Sequence, residues 1–219
     1  MHVQVRGHRR RPHARLSVTS RGLLGGTFNP PHVGHLALAR AALAGLGLDS
    51  VALVPVRTPP HKPLPDDPGP ELRLELCRLA VRDEPGIGVL DLEIARPGPS
   101  YTVDTLRTLH ECDPSDELTF IVGADVAAGL HDWREPREVL RLARLAVVGR
   151  GGIGDSQLRE RLTDLHDGTR IIFFEMTAID VSSTLVRERI AAGSGAVGLM
   201  PEAVAARVSE LDLYRDGDA

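Results

Sequence analysis

The sequence predicts a doubly wound α/β fold: a mostly parallel sheet with helices on both faces, built as a single domain. Three observations carry that prediction. Short apolar runs alternate with helical patterns along the chain. Those runs are continuous, as strands are when both faces of a parallel sheet are covered. The 219 residues, 42% of them hydrophobic, are enough to bury a real core. Strand–helix alternation implies right-handed crossovers. Ligands are then expected beyond the carboxyl ends of the strands, near the point where strand order reverses.

The elements follow in order. Strands are expected at Gly22–Leu24, Val51–Val56, Ile87–Ile94, Leu118–Val122, Leu145–Val148 and Ile171–Phe174. Helices are expected over 33–46, 70–82, 102–111, 135–142 and 156–165 between them, then over 183–191 and 201–211. The first helix carries Val33, Leu36, Leu43 and Leu46 on one face. No internal repeat or low-complexity linker interrupts the pattern.

Composition excludes several classes. Aromatics are 3%, too few for base-stacking platforms or membrane belts. No run approaches the roughly 18 apolar residues of a membrane span, and the N-terminus has no apolar signal region. Cys77 and Cys112 are too few for a disulfide framework and lack metal-ligand spacing. A soluble protein of the reducing cytoplasm is expected. Residues 1–21 hold six arginines and no acid, whereas the remainder carries 20 basic and 30 acidic residues. An acidic body argues against a nucleic-acid partner, which needs a basic face on the folded domain. Residues 1–21 read as a disordered basic extension, and 22–219 as the domain.

Of 26 basic side chains, 25 are Arg and one, Lys62, is Lys. A compact ammonium differs from a planar fork when a point charge must meet a phosphate. The bias marks Lys62 as a place where Arg will not serve.

The stretch from Gly25 to His35, GGTFNPPHVGH, follows the first strand and opens a helix. Its glycines let backbone approach a ligand, and the helix start offers free N–H groups and partial positive charge to an anion. His32 and His35, three apart, lie on one side of the first turn and can donate to the same phosphate. A metal pair is the competing reading, but no third ligand stands at an obvious spacing.

GGTFNPPHVGH resembles the nucleotidyltransferase signature of the adenylyl- and cytidylyltransferases, whose HxGH pair contacts the triphosphate. Most members carry Asp where this chain has Asn29. Val181–Arg187, VSSTLVR, is similar to the ISSTxIR signature of the same superfamily; physically it is another helix start with hydroxyls and a charge one turn on. Three further segments narrow the resemblance to the nicotinate-nucleotide (nicotinic acid mononucleotide) adenylyltransferase family. Pro59-Pro60-His61-Lys62 looks like its PPHK loop and contains the sole lysine. Ser100–Leu106 resembles its SYTxDTL. Ile121–Asp125, with Leu130 and Trp133 downstream, is similar to its IGxDxxxxLxxW. Five motifs in the expected order span residues 22–212.

The resemblance implies a nucleotidyltransferase-type, Rossmann-like fold. It implies transfer of adenylate from ATP to nicotinate mononucleotide, giving deamido-NAD and pyrophosphate. His32, His35, Lys62 and Arg187 are then the catalytic group. Gly25, Gly26, Thr27, Phe28, Gly123, Asp125, Ser182, Ser183 and Thr184 join the two histidines and Arg187 around ATP, and Asn29, Lys62, Tyr101, Thr102 and Trp133 face the mononucleotide. Mg²⁺ is expected on the ATP phosphates rather than on a protein cage. Both substrates are small molecules, and a homo-oligomer is left open.

A rival from another class is a dehydrogenase. Gly149–Gly154, GRGGIG, satisfies GxGxxG, and Glu175 stands about where a ribose-binding acid belongs. Against it, that fingerprint normally opens the first strand–helix–strand unit, and here only about 45 residues follow Glu175. A phosphopantetheine adenylyltransferase, a non-catalytic nucleotide binder and a synthetase fragment are lesser alternatives.

Overall fold

The computed structural model describes residues 18–60, 64–149, 153–165 and 170–215. Six strands, β1 (Ser20–Gly26), β2 (Ser50–Pro55), β3 (Ile87–Val89), β4 (Glu117–Gly123), β5 (Ala143–Gly149) and β6 (Ile171–Glu175), form one sheet in the order β3-β2-β1-β4-β5-β6. Every pairing is parallel. The order reverses between β1 and β4, whose carboxyl ends therefore flank the crevice where open sheets bind ligands.

The helices are α1 (Val33–Gly45), α2 (Pro70–Ala80), α3 (Leu92–Ala95), α4 (Thr102–Cys112), α5 (Ala124–Ala128), α6 (Pro136–Leu142), α7 (Ile153–Arg161), α8 (Ser183–Ala191) and α9 (Glu202–Glu210). Successive residues of a strand point to opposite faces, and β1 shows it. Leu24 packs with Leu36 of α1, Leu76 of α2, Val186 of α8 and Val204 of α9. Leu23 packs with Leu106 of α4, Val139 of α6 and Leu158 of α7. The core is thus two layers, one on each face of the sheet. Among the described residues no helix is long and apolar enough to cross a membrane.

Three expectations are corrected, and one helix, α5, was not foreseen. Ser20 and Arg21 belong to β1, with Arg21 paired to Asp116 at 2.9 Å, so the fold takes in the last residues of the basic head. The strand expected over Ile87–Ile94 stops at Val89. It is an edge strand paired only with β2, and its ladder ends with Val89 opposite Leu53 and a last bond from the Leu90 N–H to the Leu53 carbonyl at 2.9 Å. Pro55, two residues further along β2, has no N–H to extend it, and Leu92–Ala95 coils so that Glu93 and Ile94 are both buried. The five-residue α5 is too short to show a helical period. The helix expected over 156–165 is displaced to Ile153–Arg161.

Candidate active site

Phe28 bends the loop after β1 with φ 51°, and its fully buried ring lies under Gly26, where a Cβ would stand 3.0 Å from Phe28 Cζ. The chain then enters α1 with His32 as its N-cap. The His32 main-chain N–H donates to His35 Nδ1 at 3.2 Å, and the His35 N–H donates to the His32 carbonyl at 3.0 Å. Because Nδ1 of His35 accepts, its ring proton sits on Nε2, free to donate outward. The two rings stack at 3.7 Å between centroids, and Phe28 meets His35 edge-on at 4.8 Å. Burial lowers His32 to about 4; burial and then the neighbouring His32 hold His35 well below the ordinary imidazole range. Both rings are therefore neutral donors at pH 7. His32 Nδ1 is buried without a hydrogen-bond partner.

The second signature locks onto the first. Ser182 caps α8 by accepting the Leu185 N–H at 3.1 Å. Ser183 Oγ donates to the Pro30 carbonyl at 2.9 Å, and Arg187 Nη1 donates to the Asn29 carbonyl at 2.8 Å. Gly34 lies between the two signatures, because a Cβ there would meet Val181 Cγ1 at 2.9 Å and His32 Nδ1 at 3.1 Å. Segments some 150 residues apart in the chain thus form one wall.

Two cavities open at the switch point. The first, about 1200 Å³, is lined by His32, Gly34, His35, Gly123, Asp125 and Val181, with Gly149, Gln157 and Arg161 on its far side. The second, about 710 Å³, is lined by Gly25, Gly26, Thr27, Ser100, Tyr101, Thr102, Asp125 and Trp133. Asp125 lines both and stands between them. Gly123 lets its carboxylate fold back, since a Cβ there would lie 2.6 Å from Asp125 Oδ1. Trp133 follows a 3-10 turn (Leu130–Asp132) and meets Phe120 edge-on at 5.8 Å.

Other expected site residues fall elsewhere. Gly25, Gly26 and Thr27, expected at ATP, line the second cavity. Phe28 supports the loop from beneath. Asn29, expected at the mononucleotide, is 2% exposed and lines neither cavity: its amide donates to the Pro65 carbonyl at 2.9 Å and accepts from Tyr214 Oη at 2.7 Å. Thr184 and Arg187 border a third, smaller cavity, where Arg187 Nε lies 3.5 Å from Asp66. Lys62 lies outside the described residues, as do Arg150, Gly151 and Gly152 of the glycine-rich stretch. Gly149, at the end of β5, lines the far side of the first cavity, but β5 stands two strands from β1, whose loop is where that fingerprint normally lies, which speaks against the dehydrogenase reading.

Sequence reasoning passed over three residues. Arg134 lines the second cavity with its guanidinium 4.9 Å over the Tyr101 ring. Glu93, 4% exposed at that cavity, accepts from Thr105 Oγ1 at 2.7 Å; burial raises it above the usual carboxylate range, and its Oε2 has no partner. Arg73 is fully buried on α2. A lone arginine at the helical spacing of Leu76, Cys77 and Ala80 was the available signal, since a charge on an apolar stripe needs buried partners.

The cytidylyltransferase-like family model matches residues 23–189. A probable nicotinate-nucleotide adenylyltransferase of Gloeobacter violaceus is 40% identical over 196 residues, covering 88% of this chain and 95% of its own. One from a Roseiflexus species is 42% identical over 196 residues, covering 89% and 97%. Among solved structures, Plasmodium falciparum nicotinic acid mononucleotide adenylyltransferase complexed with NaAD superposes with a TM-score of 0.72 at 16% identity, over 90% of this chain and 97% of that one, a likeness of fold.

Proposed function

The chain belongs to the nicotinate-nucleotide adenylyltransferase family of cytidylyltransferase-like proteins, and we propose that it transfers adenylate from ATP to nicotinate mononucleotide, forming deamido-NAD and pyrophosphate in NAD biosynthesis. The observation that carries this reading is the pair of cavities meeting at Asp125, one walled by His32 and His35, the other by Trp133. Two substrates held there face one another across a single carboxylate.

The reaction needs no general base, because the attacking group is already an anionic phosphate oxygen of the mononucleotide. It bonds to the α-phosphorus of ATP as the bond to the β-phosphate oxygen breaks and pyrophosphate leaves. What the protein supplies is alignment and charge stabilisation. Alignment alone is worth on the order of 7–11 kcal/mol in effective molarity. His35 donates from Nε2 and His32 from its ring to the phosphate oxygens, and their neutrality lets them serve as donors without a counter-anion. α1 adds the partial charge of its N-terminus. Asp125 faces the ATP sugar. Ser182, Ser183, Thr184 and Arg187 are assigned to the leaving pyrophosphate, although none of them lines the first cavity: Ser183 is held on the Pro30 carbonyl and Thr184 and Arg187 border the third, so contact requires Arg187 to exchange Asp66 for phosphate. Trp133 stacks on the pyridine ring, with Tyr101 and Thr102 beside it, and offset stacking adds about 0.5–1.5 kcal/mol beyond burial. Lys62 supplies a point charge to the mononucleotide.

No three His, Cys, Asp or Glu side chains among the described residues gather as a metal cage. The donor set suits Mg²⁺ that arrives with ATP on its phosphate oxygens and offsets their charge. The substrates are small molecules, and the cytoplasm is the compartment this reading assigns.

The test is pyrophosphate release from MgATP with nicotinate mononucleotide, nicotinamide mononucleotide or phosphopantetheine as acceptor. A strong preference for the first is expected. Preference for the second overturns the acid selectivity, and release with none of them overturns the reading.

A further inference from the structure

Arg73 lines neither substrate cavity, yet its guanidinium reaches the two loops that build them. Nη1 donates to the Thr27 carbonyl at 2.9 Å and to the Val56 carbonyl at 2.7 Å; Nη2 donates to the Arg57 carbonyl at 3.0 Å. Nε donates to Asp67 Oδ1 at 2.9 Å. Thr27 opens the loop that runs on to His32. Val56 and Arg57 open the loop after β2. The β1–β2 ladder ends at Gly26 opposite Pro55, with a last bond from the Val56 N–H to the Gly26 carbonyl at 3.0 Å. Past that bond, the guanidinium takes over where the sheet stops.

We propose that Arg73 is a positioning residue for adenylyl transfer, setting the spacing between the loop that leads to the histidines and the loop after β2 without touching either substrate. The inference rests on the adenylyl-transfer reading. A leucine or methionine would fill the same space on α2 without the cost of desolvating a charge. The fork answers a different need, because three carbonyls that have left the sheet diverge in direction and only a planar, five-donor group can meet them together. Left alone, these half-buried carbonyls would lose the donors that tie the two loops together. The neighbouring segment is tied in the same way: Asn29 donates to the Pro65 carbonyl, and Arg187 pairs with Asp66. Three successive residues, Pro65, Asp66 and Asp67, thereby join α2 and both signatures into one frame.

Where catalysis is in-line alignment, a misplacement of about 1 Å costs roughly 10²-fold in rate. Loosening the fork should therefore lower turnover far more than it weakens either substrate's binding. The test uses Arg73→Lys and Arg73→Ala in the full chain, with the folded fraction from circular dichroism and whichever mononucleotide the wild type adenylates. The expected result for Arg73→Lys is kcat per folded molecule down by about 10²-fold, with the KM values for MgATP and acceptor within about threefold. Ethylguanidinium should restore part of kcat to Arg73→Ala saturably, a rescue that a general packing role would not show. Amide hydrogen exchange of residues 25–28 and 56–58 should quicken in the lysine variant while β4 is unchanged. Asp67→Ala removes the acceptor for Arg73 Nε and frees one corner of the fork at the solvent edge, and should lower kcat about fivefold with KM unchanged even if the Arg73 variants do not fold. A folded Arg73 variant with kcat within threefold of wild type overturns the proposal. So do unchanged kcat and loop exchange in Asp67→Ala. A wild type that adenylates no acceptor defeats the adenylyl-transfer reading instead, because hydrogen exchange still reports whether Arg73 holds the loops.

Discussion

The two walls of the site are built by different physics. The loop after β1 is buried and hydrogen-bonded from all sides: Asn29 between Pro65 and Tyr214, its carbonyl on Arg187, Pro30 on Ser183, Thr27 on Arg73. The segment after β4 rests on a five-residue helix, a 3-10 turn and exposed charges. There Arg107 grips Glu135 and lies within reach of Asp104 and Glu138, while Arg134 stands over Tyr101. The difference matches the division of labour proposed above. A group that must meet a transition state needs fixed donors, because reorganising them during reaction is costly. A wall that only recognises a flat ring needs area and can sit on a softer support.

The largest test of that contrast is His35→Ala. If the histidine wall is preorganised for the transition state, kcat at saturating substrates should fall about 10²–10³-fold, the range seen for loss of one such donor. A fall confined to KM would make both walls mere binding surfaces.

Next is acid. An unfolded histidine takes its proton near pH 6.5, whereas folded His32 resists until about 4. Folding stability is therefore full above about pH 6.5 and declines as pH falls toward 4, by up to about 3 kcal/mol. Urea titrations at stepped pH should show this decline, and saturating MgATP should reduce it by stabilising the protonated ring. A flat profile between pH 6.5 and 4 would mean that the pair is not buried as described.

Trp133→Ala comes third. It should raise the mononucleotide KM about three- to tenfold, the worth of one stacking contact, and leave the KM for ATP unchanged. Equal effects on both would erase the division. The smallest effect belongs to Arg107→Ala, since exposed ion pairs contribute little. Tm and kcat should stay at wild-type values, and a measurable loss of kcat would make the acceptor wall as fixed as the histidine wall.

Most of the fold was legible in the sequence because each central strand is a continuous apolar run bounded by glycine or by a helix start. Leu118–Val122 and Leu145–Val148 lie wholly inside the observed strands. The edge was not legible: Leu90, Leu92 and Ile94 keep a strand-like alternation, but the ladder with β2 ends with Val89 opposite Leu53 and the chain turns into a short helix that buries Glu93 and Ile94. In the site, the residues around the histidines were visible as helix starts after strands. Asn29 misled because its polarity suggests a ligand, while a tyrosine 185 residues away claims its oxygen. Glu93 and Arg134 act through neighbours that only the folded chain supplies, so no local pattern announces them; Arg73 shows in the sequence only as a charge on an apolar stripe, and its partners come from the fold.

The most direct measurement exploits the single tryptophan. Titration of its fluorescence with nicotinate mononucleotide should give saturable quenching, and titration with MgATP alone should leave it unchanged, because Trp133 lines the second cavity and not the first. Quenching by MgATP alone, or none by the mononucleotide, would contradict the assignment of the two cavities to the two substrates.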